Sequence, residues 1–318
     1  MSLPAILRNL ALPVVAAPMF TVSYPELVLA QCKAGIVGAM PALNARQSEG
    51  LDAWLAQINA ELDRHRQTQP DACTGPLAVN LIMHATNSRL AQDLDICVRH
   101  RVPVLISSLQ APAPEVIRAV HGYGGIVLHD VINLRHAHKA LDAGVDGLIL
   151  VAAGAGGHGG TLSPFALVGE VRRFFDGPVV LSGAISSGAA VLAAQAMGAD
   201  LAYVGTRFIA TQEAHAAPEY KQAIVAASAA DIVYSDLFSG VHGNYLRASI
   251  ERAGLDPDQL PARDTHRMNF SSGSTRSKTW KDIWGAGQGV GLIDDVPKTA
   301  DIVARFRQEY AQARARLG

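Results

Sequence analysis

The chain has 318 residues, of which 49% are hydrophobic and 17% charged, and its formal net charge is −1. The charged share is below the roughly 25% of an average soluble protein, so there is apolar surface for a large core. A near-neutral balance with no long run of one sign argues against a nucleic-acid or membrane-surface footprint.

In chain order, the first stretch, "MSLPAILRNLALPVVAAPMF", lacks a basic region followed by a long apolar run and a small-residue cleavage site. No apolar run approaches the roughly 18 to 20 residues needed to span a bilayer. Cys32, Cys73 and Cys97 are odd in number and have no C-x-x-C spacing, which speaks against a disulfide framework and suits a reducing compartment. The expectation is a soluble, cytoplasmic protein.

From residue 14 to about 210, short apolar runs alternate with amphipathic segments. The runs are VVAAPM (14–19), GIVGAM (35–40), LAVNLI (77–82), VPVLIS (102–107), GIVLHD (125–130), DGLILVA (146–152), PVVLSG (178–183) and LAYVG (201–205). They are almost continuously apolar, as parallel strands buried on both faces are. Several intervening segments end at glycine, the usual residue just past a helix C-terminus. Eight β-then-α units in about 200 residues predict a (β/α)8 TIM barrel, with an open doubly wound sheet as the alternative. Residues 1–212 would form the barrel core. Residues 213–318 would be a C-terminal extension folding over the barrel mouth, with a helix at 217–229, a polar loop at 254–279 and a terminal helix.

A TIM barrel builds its site on the loops after its strands. The strand ends offer Ala17, Pro18 and Met19 after the first, Asn80 on the third, and His129 and Asp130 on the fifth. After the sixth comes GAGGHGG (154–160), with His158 among glycines such as Gly157. Glycine lets that loop pass close to a flat ligand, and the imidazole, with an unperturbed pKa near 6.5, suits proton abstraction or an oxyanion contact. Ser182, Gly183 and Ala184 after the seventh strand, with Gly205 and Thr206 after the eighth, fall where barrel enzymes often bind phosphate. No metal site is expected: His136 and His138 are two apart on a helix, and no H-E-x-x-H or cysteine pair occurs. GAGQGVG (285–291) follows no strand, so it is a weak dinucleotide fingerprint.

Taken together, AAGAGGHGG (152–160), LSGAIS (181–186), GADLAYVGTRFIAT (198–211) and WGAGQGVGLIDDVP (284–297), with early PMF and VNL at the third strand, resemble the nitronate monooxygenase family. The resemblance implies an FMN-dependent barrel that oxidises alkyl nitronates with O2 to a carbonyl compound and nitrite. Position by position, it implies His158 as the catalytic histidine. It also implies Ala17, Pro18, Met19 and Asn80 beside the flavin, and Gly183, Ala184, Gly205 and Thr206 as phosphate cradle. Gln288 and Gly289 would belong to a late loop closing over the cofactor. Two departures stand out: Ala184 replaces a second glycine, and Asp130 stands where some relatives carry a lysine near the flavin. The expected partners are a small nitronate or nitroalkane and O2, with a homodimer as the assembly to test. An NAD(P)H-dependent reductase of quinones or enoyl thioesters, a non-catalytic flavin protein and a flavin-free phosphosugar barrel remain as alternatives.

Overall fold

The computed structural model describes residues 3–46, 48–260 and 282–318. Eight parallel strands form its centre: β1 (Val14–Ala16), β2 (Gly38–Pro41), β3 (Leu77–Met83), β4 (Val104–Leu109), β5 (Ile126–Val131) and β6 (Gly147–Val151), then, after the two-residue β7 (Gly157–His158), β8 (Val179–Ser182) and β9 (Leu201–Val204). Neighbours pair in parallel in the order β1-β9-β8-β6-β5-β4-β3-β2. A bridge between Val15 and Val37 joins the two ends, so the sheet closes into the expected TIM barrel. All eight predicted strands are present.

Strand alternation sorts the core. Val15, Ala78, Ile106, Leu128, Ile149, Val180 and Leu201 form an interior cluster, and Leu7 from the N-terminal turn packs into it. The residues between them face outward into a larger cluster shared with the helices. A strand buried on both faces has no polar side, so its sequence reads as one apolar run.

The helices are α1 (Pro25–Lys33), α2 (Ser48–Thr68), α3 (Leu90–Arg99), α4 (Pro114–His121), α5 (Leu134–Asp142), α6 (Pro164–Arg172), α7 (Gly188–Ala196), α8 (Thr206–Ile209), α9 (Pro218–Ala226), α10 (Arg247–Arg252) and α11 (Thr299–Leu317). Four begin on proline, whose fixed φ suits the first helical turn. Asn133 and Ser187 cap α5 and α7 through their side chains. The one-turn α8 is too short to cover the seam beside β9. The ring position there belongs to α11, which packs against both α7 and α1.

Beyond residue 212 lies a feature with no sequence signal. β10 (Ile232–Ser235) and β11 (Gly243–Leu246) form an antiparallel pair, and β11 also pairs with β7. The predicted helix at 217–229 is α9, which is shorter. Most of the predicted polar loop at 254–279 lies outside the described residues. No helix among those described is long and apolar enough to cross a membrane.

Candidate active site at the barrel mouth

Counting inward positions by twos along each strand places a ring of side chains at the C-terminal end of the barrel: Ala17, Asn80, Ser108, Asp130, Ser182 and Tyr203. Three of them form a chain. The Asn80 amide donates to Ser108 Oγ at 2.7 Å, and Ser108 donates to Asp130 Oδ2 at 2.5 Å. The other Asp130 oxygen is buried with no hydrogen-bond partner among the described residues. Burial pushes the Asp130 carboxyl up to about 6, opposed by the Ser108 hydrogen bond. Burial also raises the Tyr203 hydroxyl, and the neighbouring Asp130 adds to it. Asp130 therefore points into the mouth.

His129, one residue earlier, faces the opposite way. Its Nδ1 lies 2.8 Å from Ser107 Oγ, and burial lowers its pKa to about 4. It is a neutral structural histidine. His138 stacks on Phe174, and the described residues hold no cluster of metal-ligating side chains.

The loop after β6 explains its glycines in a way the sequence did not suggest. Gly154 and Gly157 take φ of +83° and +68°, a region where a side chain is strained. Gly156 is packed against protein: a Cβ there would sit 2.7 Å from the Gly287 nitrogen and 3.1 Å from Thr206 Oγ1. The glycines admit the chain's own late segment, not only a flat ligand. That segment contains a 3-10 turn, Gln288–Leu292, in place of a dinucleotide-type helix. The Gln288 N–H donates to Gly154 O, and the Gly287 N–H to Thr206 Oγ1, each at 2.9 Å. Gly289 abuts the Ala184 backbone.

His158 sits on this loop with its backbone in register with Gly243 of β11. Its Nε2 lies 2.7 Å from Ser239 Oγ. Met19 and Ala17 approach Gly205, and the Ala17 N–H bonds Val204 O at 2.9 Å. Pro18 lies between them in the same loop. The structure thus brings Ala17, Pro18, Met19, Asn80, Gly157, His158, Ser182, Gly183, Ala184, Gly205, Thr206, Gln288 and Gly289 to one end of the barrel. Ser108, Tyr203, Ser239 and Tyr245 escaped the sequence reading. Strand parity could have found the first two; nothing local marks the others.

A barrel with glycine turns after its last two strands and polar groups around the mouth falls in the class of TIM-barrel enzymes, whose sites lie at this end of the strands. Residues 5–309 match the Nitronate monooxygenase family, and the chain belongs to that family of oxidoreductases. It is 26% identical to a nitronate monooxygenase of Paraburkholderia phytofirmans, with 95% of this chain and 93% of that protein covered. It is 25% identical to the (3aS,4S,5R,7aS)-5-hydroxy-7a-methyl-1-oxo-octahydro-1H-indene-4-carboxyl-CoA dehydrogenase of Rhodococcus jostii, over 92% of this chain and 90% of that one. In fold it is similar to nitroalkane oxidase from Streptomyces ansochromogenes, with a TM-score of 0.81 at 24% identity, covering 99% of this chain and 100% of that one.

The family implies a flavin, and the residues present fit one. A Cβ on Gly183 would lie 2.7 Å from Ala153 O, so glycine lets the turn after β8 pack directly on the loop after β6. The free oxygen of Asp130, beside Asn80 and Ser108, gives the opposite side of the mouth a polar edge.

Proposed function

We propose that this chain oxidises alkyl nitronates with O2 to a carbonyl compound and nitrite, with FMN as its flavin and His158 as the catalytic residue. The observation that carries this reading is the imidazole of His158, held at Nε2 by Ser239 on the glycine loop after β6. Gly183, Gly205 and Thr206 would hold the phosphate through backbone N–H groups and the Thr206 hydroxyl, with Ala184, whose N–H is turned to the Gly154 carbonyl, shaping the same turn. Ala17, Pro18, Met19 and Asn80 would border the ring system, with Gly157, Ser182, Gln288 and Gly289 around it. When bound, a flavin would supply the redox chemistry between substrate and O2.

The protein's part is placement and proton handling. His158 hydrogen-bonds the nitronate oxygens, or takes the α-carbon proton of a neutral nitroalkane. A preformed nitronate has already lost that proton. His158→Ala should therefore keep its flavin and lose about a hundredfold to ten-thousandfold in turnover on neutral nitroalkanes, with a smaller loss on nitronates. Loss of the cofactor in that variant would overturn this division of roles.

The Rhodococcus jostii relative, named as a carboxyl-CoA dehydrogenase, supports a second reading: an NAD(P)H-dependent FMN reductase of enoyl thioesters or quinones. Anaerobic mixing separates the two. Bleaching of flavin absorbance by propionate 3-nitronate, with nitrite formed on admitting air, is the expected result. Bleaching by NADH or NADPH alone would establish the second reading.

A further inference from the structure

The early stretch Pro18-Met19-Phe20 ends on a residue that neither the core nor the chemistry above accounts for. After β1 the chain makes a tight turn, in which the Val22 and Ser23 N–H groups both donate to Met19 O, at 3.2 and 2.9 Å. Thr21, the third residue of that turn, has a φ of +64°. Turns of this pattern normally take glycine there, and a β-branched residue at positive φ is a genuine outlier. Such strain persists only where the surroundings over-determine it, and it clusters at functional sites.

One buried side chain holds the turn. Asn44, 5% exposed, ends the 3-10 turn Ala42–Asn44 after β2. Its Oδ1 accepts the Thr21 N–H at 2.8 Å, and its Nδ2 donates to Met19 O at 3.0 Å and to Ser23 O at 2.8 Å. Both amide protons and the side-chain oxygen are thus committed to a single loop. The Arg89 guanidinium holds the 3-10 turn in its place by donating to the carbonyls of Ala42 and Ala45. From the other side, the His215 N–H donates to Val22 O at 3.1 Å, and its ring packs on Tyr24 with centroids 4.2 Å apart.

This clamp sorts the side chains of the loop. Met19 and Val22 pack into the large core cluster, and Met19 approaches Gly205 at the barrel mouth. Phe20 takes the second position of the turn, at its corner, and stays 41% exposed. A singly exposed apolar residue is ordinary. One set out on the rim of the candidate site by a strained turn, whose backbone is bonded from two sides, has a reason to be there. A phenyl ring recognises apolar surface by burying it.

We propose that Phe20 is an apolar wall of the substrate site, met by the substrate's alkyl chain, and that Asn44 is the positioning residue that fixes it there. The identity of the substrate rests on the function proposed above; the contact between Phe20 and an alkyl chain is read separately.

The test uses fluorine-19 NMR of the flavin-loaded protein labelled with 4-fluorophenylalanine, with the Phe20 signal identified by its loss in Phe20→Leu. The probes are 1-nitrohexane and hexanoate, whose carboxylate has the planar two-oxygen anion of a nitronate, with nitroethane and acetate as short counterparts. The Phe20 signal should shift saturably with the six-carbon probes and less with the two-carbon ones. In turnover, each added methylene should lower KM by up to about fourfold in wild type, the factor for a fully buried CH2. Phe20→Ala should flatten that dependence, with the loss in KM rather than kcat, and Phe20→Leu should restore most of it. Asn44→Ala should move the Phe20 signal in the ligand-free protein and flatten the dependence as well; if that variant does not fold, the two Phe20 variants still decide. A Phe20 signal that no six-carbon probe moves, or a chain-length dependence unchanged in Phe20→Ala, overturns the proposal. So does a change of oligomeric state in Phe20→Ala by light scattering, which would make the ring a contact between copies. A shifted Phe20 signal with no turnover of nitroalkane or nitronate would refute the proposed function and leave the wall intact.

Discussion

Asp130 carries a carboxyl group into a ring of strand ends where water is largely excluded. In the unfolded chain it ionises near 3.8, and in the folded protein near 6. Between those values the folded state keeps a proton that the unfolded state has lost, so stability falls as pH rises through the window. Above it the cost is complete, on the order of 3 kcal/mol for a shift of this size. Asp130→Asn should be more stable than wild type at pH 8 and equal to it below pH 4, as urea melts at the two pH values would show. A difference that does not vanish in acid would assign the effect to packing. Ala184 poses a backbone question instead. Its φ of +53° lies in the left-handed region, which costs a side-chain-bearing residue about 1–2 kcal/mol. Ala184→Gly removes that strain but frees the unfolded chain, worth about 0.4–1 kcal/mol in the other direction. The expected balance is a slightly higher Tm by calorimetry. That an alanine stands at this turn was legible in the sequence; its strain was not, because φ is set by the Gly154 carbonyl, which accepts the Ala184 N–H at 3.3 Å.

The elements follow from their punctuation. Apolar runs became the barrel strands, and proline starts with left-handed Gly35, Gly144 and Gly198 bound the helices. The β7–β11–β10 sheet had no such marks. β7 is a glycine and a histidine, and its pairing partner lies more than eighty positions on. Ser239 was hidden for the same reason: it meets His158 only once the hairpin docks. The glycine loop and the late segment form a joint whose tightness can be tested. Gly156→Ala would press a Cβ against the backbone of Ala286 and Gly287, costing about 1–3 kcal/mol as overpacking does. It should lower Tm and weaken flavin affinity together, because the Gly287–Thr206 bond sits at the same contact. Gly169→Ala on α6, where a Cβ meets nothing within 4 Å, is the control: it should leave flavin affinity unchanged and raise Tm slightly, since alanine is favoured over glycine inside a helix by about 0.4–1 kcal/mol.

Across the whole molecule, the barrel and the last helix are tied through a buried cation. Arg207 is 2% exposed and meets Asp295 at 2.7 Å, while Arg305 of α11 binds the other oxygen of the same carboxylate at 2.5 Å. The hydrogen bond from Arg305, then the charge of Arg207, hold Asp295 below the usual carboxylate range despite opposing burial. Asp295→Ala would leave the guanidinium of Arg207 buried without its acid. Discounted for the partial exposure of Asp295, the loss should be about 2 kcal/mol. It should read as a Tm several degrees lower, with Asp294→Ala, a residue 86% exposed in its side chain, as the neutral comparison.

The placement of α11 between α7 and α1 also sets a timetable for synthesis. β1 gains its second neighbour only in β9, and α1 its second flank only when residues 299–317 exist. At about 5–20 residues per second, the first strand and helix leave the ribosome roughly 15 to 60 seconds before their last neighbour. Throughout that interval the nascent chain has an open strand edge and an uncovered apolar helix face, which are the surfaces that chaperones bind and proteases attack.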